Sequence, residues 1–240
     1  MNEKLVQTLQ TCVYELGYVL SDDQIQKLDI YYHYLIQRNN HVNLTNIIDP
    51  DEVAVKHFAD SLTCFQMDIK DNDQVIDVGS GAGFPGMVLK IFNHTLSVTM
   101  LDSLQKRVDF LNNLATKLEL SDIVAVHGRA EEVGKVDNHR EHYDVVVSRA
   151  VANLATLAEY CLPFVKLGGS FIAMKGPKAA EEIATASRAV QILGGQIAQI
   201  KEFKLPITGD ERTLIKISKI NPTPAKYPRK AGTPAKKPIK

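Results

Sequence analysis

The spacing of apolar positions changes near residue 70. In residues 22–38 the apolar side chains Ile25, Leu28, Tyr32, Leu35 and Ile36 recur at helical intervals. After about residue 72, short apolar runs alternate with helical stretches. Residues 1–66 are therefore predicted to form a helical N-terminal segment packed on the core, and residues 67–220 a domain of α/β architecture.

Short apolar runs separated by helical patterns predict a mostly parallel sheet, because parallel strands need crossover connections. Two further runs, which close the domain, have no convincing helix between them and are predicted to pair as an antiparallel hairpin at one edge. The expected fold is thus a seven-stranded, mostly parallel sheet with an antiparallel edge strand. The predicted strands are residues 74–78, 96–102, 123–127, 143–150, 169–176, 196–203 and 212–219, and the predicted helices of this domain are residues 85–92, 106–120 and 178–193.

The stretch VIDVGSGAGFPG, residues 75–86, follows a predicted strand and opens a predicted helix. That context is the one in which a Gly-x-Gly motif indicates a nucleotide-like ligand. Gly79, Gly81 and Gly83 lack side chains, so a ligand can approach the main chain at the carboxyl end of the sheet. Because a tight turn alone needs fewer glycines, the stretch predicts a binding loop.

Two acidic residues narrow the choice of ligand. Asp102 ends the second predicted strand, where a carboxylate accepts ribose hydroxyl groups of a dinucleotide or of S-adenosylmethionine. Asp77 lies just before the glycines; it would repel a pyrophosphate and favour the ammonium and sulfonium of S-adenosylmethionine. A buried Asp77 bonded to loop amides remains the alternative.

The charges are unevenly distributed although the net charge of the 240 residues is zero. Residues 221–240 hold five Lys, one Arg and no acid, which leaves 22 basic against 28 acidic residues in the rest of the chain. The prolines of this basic tail are predicted to prevent a helix, so that the tail is extended or becomes ordered only on contact. It serves either as a solubilising tail or as an arm that neutralises phosphates.

The remaining composition excludes several classes of protein. No apolar run is long enough to cross a membrane, and no export signal precedes the first helix. The three cysteines form no Cys-x-x-Cys pair, so neither a zinc site nor a disulfide framework is expected. Because cysteines stay reduced in the cytoplasm, we expect a cytoplasmic location. A phosphate-binding loop of the NTPase type is also absent.

The segments VIDVGSGAGFPG, DSLQKRVDFLNNL, HGRAEE, VVSRAVANL, GGSFIAMKG and KYPRKAGTPAKKPI, in this order, resemble the glucose-inhibited division protein B family. The resemblance covers essentially the whole chain. It implies a class I, Rossmann-like methyltransferase that forms 7-methylguanosine in 16S ribosomal RNA of the small subunit, with S-adenosylmethionine as cofactor. By the same resemblance, Gly79 and Phe84 contact the cofactor, Ala130 and Glu131 lie near the adenine edge, and Arg149 lies near the methionine end.

This resemblance predicts how the chain reacts and what it binds. Guanine N7 carries no proton, so no general base is needed and no catalytic residue or metal is assigned. The expected partner is 16S ribosomal RNA or the small ribosomal subunit, and the protein is expected to be a monomer. Candidate RNA contacts are Phe84, Phe58, His57, Arg212 and residues 39–46, 175–178 and 226–240. Deleting the last of these is expected to weaken RNA binding and leave cofactor binding intact.

Two alternatives from other classes stay open at this point. The glycine loop and Asp102 alone would also suit an NAD-dependent oxidoreductase. The basic tail would also suit a non-catalytic RNA-binding assembly factor that retains a cofactor pocket. Cofactor titration distinguishes the first, and a methyl-transfer assay the second.

Overall fold

The computed structural model describes residues 1–239. A π-helical turn, Ala54–Ala59, connects the third and fourth α-helices, and 3₁₀ turns span Thr63–Met67 and Leu162–Phe164. No helix in the described part of the chain combines the length and apolar composition needed to cross a membrane. The α-helices are α1 (Glu3–Glu15), α2 (Asp22–Val42), α3 (Pro50–Val53), α4 (Asp60–Leu62), α5 (Gly86–Phe92), α6 (Gln105–Lys117), α7 (Ala130–Val133), α8 (Leu154–Cys161), α9 (Ala179–Ile192) and α10 (Thr233–Lys236).

Seven strands form one sheet in the order β3-β2-β1-β4-β5-β7-β6. The five strands from β3 to β5 are parallel, whereas β7 is antiparallel to both of its neighbours. The predicted mostly parallel sheet with an antiparallel hairpin at one edge is confirmed; β6 closes that edge. The strands are β1 (Gln74–Val78), β2 (Ser97–Asp102), β3 (Ile123–His127), β4 (Tyr143–Arg149), β5 (Val165–Lys175), β6 (Gly195–Lys204) and β7 (Glu211–Lys219).

Between β4 and the end of β5, helix α8 was not predicted, and β5 begins earlier than predicted. Helix α8 begins at the cap residue Asn153, whose side chain accepts a hydrogen bond from the backbone N–H of Thr156. Strand β5 begins at Val165 rather than at residue 169, because the β4–β5 register shifts between Tyr143 and Val145. Gly168, with φ of 81°, lies in this irregular part of the strand.

The start of α2 follows from a local signal in the sequence. Ser21 and Gln24 form a capping box, in which each side chain bonds the backbone N–H of the other residue. At the start of α3, the side chain of Asp49 caps the helix and Pro50 occupies its first turn. These starts fix where the N-terminal helices enter the fold.

The N-terminal helices share one hydrophobic core with the face of the sheet that α5 and α6 cover. Tyr31 of α2 is fully buried there, and its hydroxyl donates a hydrogen bond of 2.5 Å to the carbonyl oxygen of Ala82 in the glycine loop. Its ring stacks on that of Phe84 with centroids 5.3 Å apart. Thus α2 supports the loop from behind.

The tail also differs from its prediction. It carries the short helix α10, so the expectation that its prolines prevent any helix is wrong at this point. Pro234 occupies the first turn of α10, where no intrahelical bond needs its missing N–H. Tyr227 and Pro234 are buried, which shows that the tail packs against the body of the protein.

Tyr31→Phe should lower the free energy of unfolding by about 1–2 kcal/mol, because the buried carbonyl of Ala82 loses its donor. Urea unfolding monitored by circular dichroism measures this loss. Tyr14→Phe removes a hydroxyl from a side chain that is 76% exposed and should change stability by less than about 0.5 kcal/mol. Equal effects of the two substitutions would contradict the role of Tyr31.

Candidate functional site

The glycine loop, residues 79–85, is attached to the carboxyl end of β2. The backbone N–H groups of Gly79 and Ser80 both donate to the carbonyl oxygen of Leu101, at 2.8 and 3.1 Å. Gly79 has φ of 79°, and a Cβ at this position would lie 2.6 Å from Cγ2 of Val151. Only glycine therefore fits this close contact between the loop and the segment that follows β4.

Asp102 completes the attachment of the loop. One carboxylate oxygen accepts the backbone N–H of Gly81 at 2.9 Å, and the other accepts that of Leu104, also at 2.9 Å. Arg107 lies 3.6 Å from the first oxygen. The carboxylate is buried and fixed in orientation, yet each of its oxygens retains a lone pair for a further donor.

Asp77 lies in the interior rather than in the cavity wall. Its side chain has no exposed surface, and one oxygen accepts the backbone N–H of Gly86 at 2.9 Å. The other oxygen is buried and has no hydrogen-bond partner within residues 1–239. Burial raises the pKa of Asp77 to about 7, against the lowering effects of the Gly86 N–H and of Arg149. The structure thus matches the alternative of a buried Asp, although the amide that Asp77 accepts from is the first one of α5 rather than one of the loop.

Ala130 and Glu131 open α7, directly after β3. Glu131 is buried, and one of its carboxylate oxygens accepts the backbone N–H of Gly232, at 2.8 Å, from the tail. This contact brings the C-terminal residues to the same edge of the sheet as the glycine loop. Sequence analysis assigned no such role to the tail.

Arg149, the last residue of β4, belongs to an ion cluster centred on Asp60. The Arg149 guanidinium donates to one carboxylate oxygen of Asp60 at 2.9 Å, and Arg212 of β7 donates to the other at 3.1 Å. Arg149 also donates to the backbone carbonyl of Lys56 at 2.9 Å. One buried carboxylate therefore positions two arginines from distant parts of the chain.

His57 is held between this cluster and the glycine loop. Its ring stacks on Phe84 with centroids 4.3 Å apart, and the Arg149 guanidinium lies over the same Phe84 ring at 5.0 Å. Burial, together with the charge of Arg149, lowers the pKa of His57 to about 3. The ring is therefore neutral at neutral pH, and both of its nitrogens are engaged: Nδ1 lies 3.1 Å from the Arg149 guanidinium and 3.1 Å from the Lys56 carbonyl oxygen, and Nε2 lies 2.8 Å from the Thr45 hydroxyl.

Two cavities lie side by side at this edge of the sheet. The first, of about 550 Å³, contains the glycine loop and the ends of β2 and β3 in its lining. The second, of about 530 Å³, contains Lys56, Asp60, Lys175 and Arg212 in its lining. Both are lined by His57, Arg149, Ala150 and Val151, which form the wall between them.

The structure brings most of the predicted cofactor residues together around the first cavity. Asp77 is the exception, since it lies beneath the loop. Residues that sequence analysis did not assign to this cavity include Leu44, Thr45 and Tyr160 and, from the tail, Gly232 and Ala235. The predicted residues that line it are Gly79, Gly81, Phe84, Asp102, Ala130, Glu131 and Arg149.

Among the described residues, no group of three or more His, Cys, Asp or Glu side chains is placed to hold a metal ion. Asp60 and His57, three residues apart, instead face Arg149. The arrangement thus supplies fixed carboxylates, open main chain and paired guanidinium groups, all suited to binding and positioning organic ligands.

A family model and a full-length relative both match this chain to the same family of proteins. The family model described as GidB, rRNA small subunit methyltransferase G, matches residues 24–215. A ribosomal RNA small subunit methyltransferase G from Desulforamulus reducens is 50% identical over 240 residues, which cover 100% of both chains.

Solved structures agree on the fold. An S-adenosylmethionine-dependent methyltransferase from Aquifex aeolicus aligns with a TM-score of 0.53 and 17% identity, covering 72% of this chain and 94% of that one. TYW2 from M. jannaschii, solved in complex with AdoMet, aligns with a TM-score of 0.51 and 15% identity, covering 63% of this chain and 71% of its own. At such identities the likeness establishes the Rossmann-like methyltransferase fold.

Asp77→Asn should alter how stability depends on pH. The pKa of Asp77 is about 7 in the folded protein and near 3.8 when the side chain is solvated. The folded state therefore binds the proton more tightly, and the stability that neutral Asp77 contributes is lost as the pH rises from about 4 through about 7. Asparagine does not titrate, so the variant should gain stability relative to wild type over this interval, by at most about 4 kcal/mol.

Urea unfolding of the ligand-free protein between pH 4 and 8, the interval around the two pKa values, measures this difference. Asp137→Asn is the matched control, because Asp137 is exposed. A difference between Asp77→Asn and wild type that stays constant with pH would contradict the raised pKa.

Proposed function

The chain belongs to the ribosomal RNA small subunit methyltransferase G family, and from this membership we propose that it methylates N7 of a guanine in 16S ribosomal RNA, with S-adenosylmethionine as methyl donor. The observation that carries the proposal is the similarity to a curated relative along the full length of both chains. The family is one of methyltransferases, which decides against an NAD-dependent oxidoreductase.

The first cavity suits S-adenosylmethionine, which supplies a methyl group made electrophilic by its sulfonium. The free lone pairs of Asp102 can accept the ribose hydroxyl hydrogens, since its other contacts already fix the carboxylate. Gly81 leaves main chain open to the ligand, Gly79 lines the same cavity, and Ala130 and Glu131 line the part of the cavity that would hold adenine. A volume of about 550 Å³ is typical of sites for ligands of this size.

The second cavity is the proposed site of the target guanine. It adjoins the first across His57, Arg149, Ala150 and Val151, so a base there would lie next to the methyl donor. Lys56 and Arg212 give its lining cationic groups that suit a nucleotide and its phosphates.

No residue needs to act as a base in this reaction, because guanine N7 offers a lone pair and carries no proton. His57 agrees with that view: its low pKa keeps the ring neutral, and both ring nitrogens are engaged with Thr45 and Arg149. The contribution of the chain is to align two ligands and exclude water. The ion cluster around Asp60 holds the dividing wall that sets this alignment.

Both cavities are built from a single chain, so we propose that the enzyme acts as a monomer. The substrate class implies that it works in the bacterial cytoplasm, on 16S ribosomal RNA or the small subunit.

Methyl transfer is tested with methyl-labelled S-adenosylmethionine and small ribosomal subunits that lack the modification. After digestion of the RNA, label is expected in 7-methylguanosine. Label in another nucleoside would still support methyltransferase activity but would overturn the assignment of the methylated atom as guanine N7. Cofactor binding without any label on subunits or naked RNA would instead support the non-catalytic assembly factor.

Arg212→Gln should weaken productive RNA binding and spare the cofactor, because Arg212 lines only the second cavity. We expect kcat/KM for the RNA substrate to fall about tenfold, as for loss of one charged hydrogen bond, with the Kd of S-adenosylmethionine changed less than about twofold. Arg188→Gln, on the exposed side of α9, is the matched control and should change neither constant. A loss of cofactor affinity equal to the loss in kcat/KM would contradict the assignment of the second cavity.

A further inference from the structure

Residues 227–236, here called the C-terminal strap, are fastened to α8 by an ion pair between the half-buried Arg229 and the buried carboxylate of Glu159. Glu159 has no exposed surface, and Arg229 reaches it with its backbone N–H at 2.8 Å, with Nε at 2.9 Å and with Nη2 at 2.5 Å. A buried carboxylate stays charged only when it is paired and hydrogen-bonded. Glu159 therefore requires the strap in this position, and the strap is a built part of the fold.

Two further contacts continue the attachment along the strap. The carbonyl oxygen of Pro234 accepts a hydrogen bond from the Thr156 hydroxyl at 3.3 Å, one turn before Glu159 on α8. The backbone N–H of Gly232 donates to Glu131 at 2.8 Å. Gly232 has φ of 80°, a conformation that glycine adopts readily and that starts α10 here.

These contacts place the strap in the wall of the first cavity. Gly232 and Ala235 line it beside Glu131 and Tyr160. Gly232 engages one oxygen of Glu131, Oε1, which leaves the other oxygen for a donor from the cavity. The exocyclic amino group of adenine is such a donor. The strap thus fixes one oxygen of Glu131 in the lining of the first cavity.

We propose that the C-terminal strap is a cofactor-binding element: it forms the wall of the site at the adenosine half of S-adenosylmethionine and positions Glu131 against the adenine. The proposal rests on the proposed function, since it takes S-adenosylmethionine as the ligand of the first cavity. It differs from the expectation that deleting the tail leaves cofactor binding intact, whereas RNA binding by the tail stays a prediction. Arg229 acts here as a positioning residue, whereas Glu131 would contact the adenine itself.

Two full-length variants distinguish the effect of the ion pair on cofactor binding from the effect of the positive charge of the tail. Arg229→Gln releases the fastening at Glu159, whereas Lys237→Gln removes the same charge from an exposed tail residue just beyond the strap that forms no ion pair within residues 1–239. By titration calorimetry we expect Arg229→Gln to weaken binding of S-adenosylhomocysteine about tenfold, and Lys237→Gln to change it less than twofold. Arg229→Lys should recover part of the loss, because lysine keeps the charge and lacks the fork.

A ligand that lacks the amino acid part shows which half of the cofactor the strap contacts. Because the strap lies at the adenosine half, 5′-methylthioadenosine, which lacks the amino acid part, should lose the same factor as S-adenosylhomocysteine in Arg229→Gln. Equal affinities of wild type and Arg229→Gln for both ligands would overturn the proposal, as would equal losses in Arg229→Gln and Lys237→Gln. Wild-type protein that binds neither ligand would instead overturn the proposed function.

Hydrogen exchange of the wild-type protein tests the same contact without a substitution, which matters if Arg229→Gln does not fold. Opening of the strap must break its contacts with a bound ligand, so saturation with S-adenosylhomocysteine should slow exchange in peptides covering residues 227–236. Exchange of these peptides that is unchanged, while peptides of the glycine loop become protected, would overturn the proposal.

Discussion

The attachment of the glycine loop to the end of β2 is the constraint on which the candidate site depends. Backbone donors of Gly79 and Ser80 share the carbonyl of Leu101, and the Asp102 carboxylate receives Gly81. The loop therefore cannot move independently of the sheet. From behind, Tyr31 bonds the carbonyl of Ala82, so the N-terminal helices fix the same loop from the opposite side. The first cavity is the space that these attachments leave open.

The Asp60 cluster fixes the lining of the second cavity, as the bonds of the glycine loop fix the lining of the first. It connects the N-terminal helices with the ends of β4 and β7 through Arg149 and Arg212. Removing Asp60 would leave two partly buried guanidinium groups without their acceptor, an expensive arrangement. The wall between the cavities is therefore maintained by charge pairing as well as by packing of His57 on Phe84.

Local patterns were sufficient to predict much of this molecule. The period of apolar residues predicted the strands, and the glycines followed by an acid at the end of the next strand predicted where the first cavity lies. Parallel strands end at one edge, which is why residues as distant as Gly79, Glu131 and Arg149 come together.

What could not be predicted depends on the direction of side chains and on contacts between distant segments. The sequence places Asp77 next to the glycines, but only the fold shows that it faces Gly86 beneath them. The partners of Asp60 lie 89 and 152 residues away, so no spacing rule connects them. The strap is a further case: its prolines and lysines indicate a solvated tail, whereas two buried acids, Glu159 and Glu131, fix its course. Helix α8, which supplies Glu159, was itself missed.

The cationic lining of the second cavity has a consequence for the end of a reaction cycle. An unmethylated guanine is neutral, whereas methylation at N7 leaves its ring system with a positive charge. In the proposed site of the guanine, the basic residues Lys56, Arg149, Lys175 and Arg212 outnumber the acids Asp60 and Glu182, so the lining would favour the phosphates of either form but repel the methylated base more strongly than the unmethylated one. The same groups that attract the nucleic acid thus make the modified nucleotide the weaker ligand, and product inhibition should be mild.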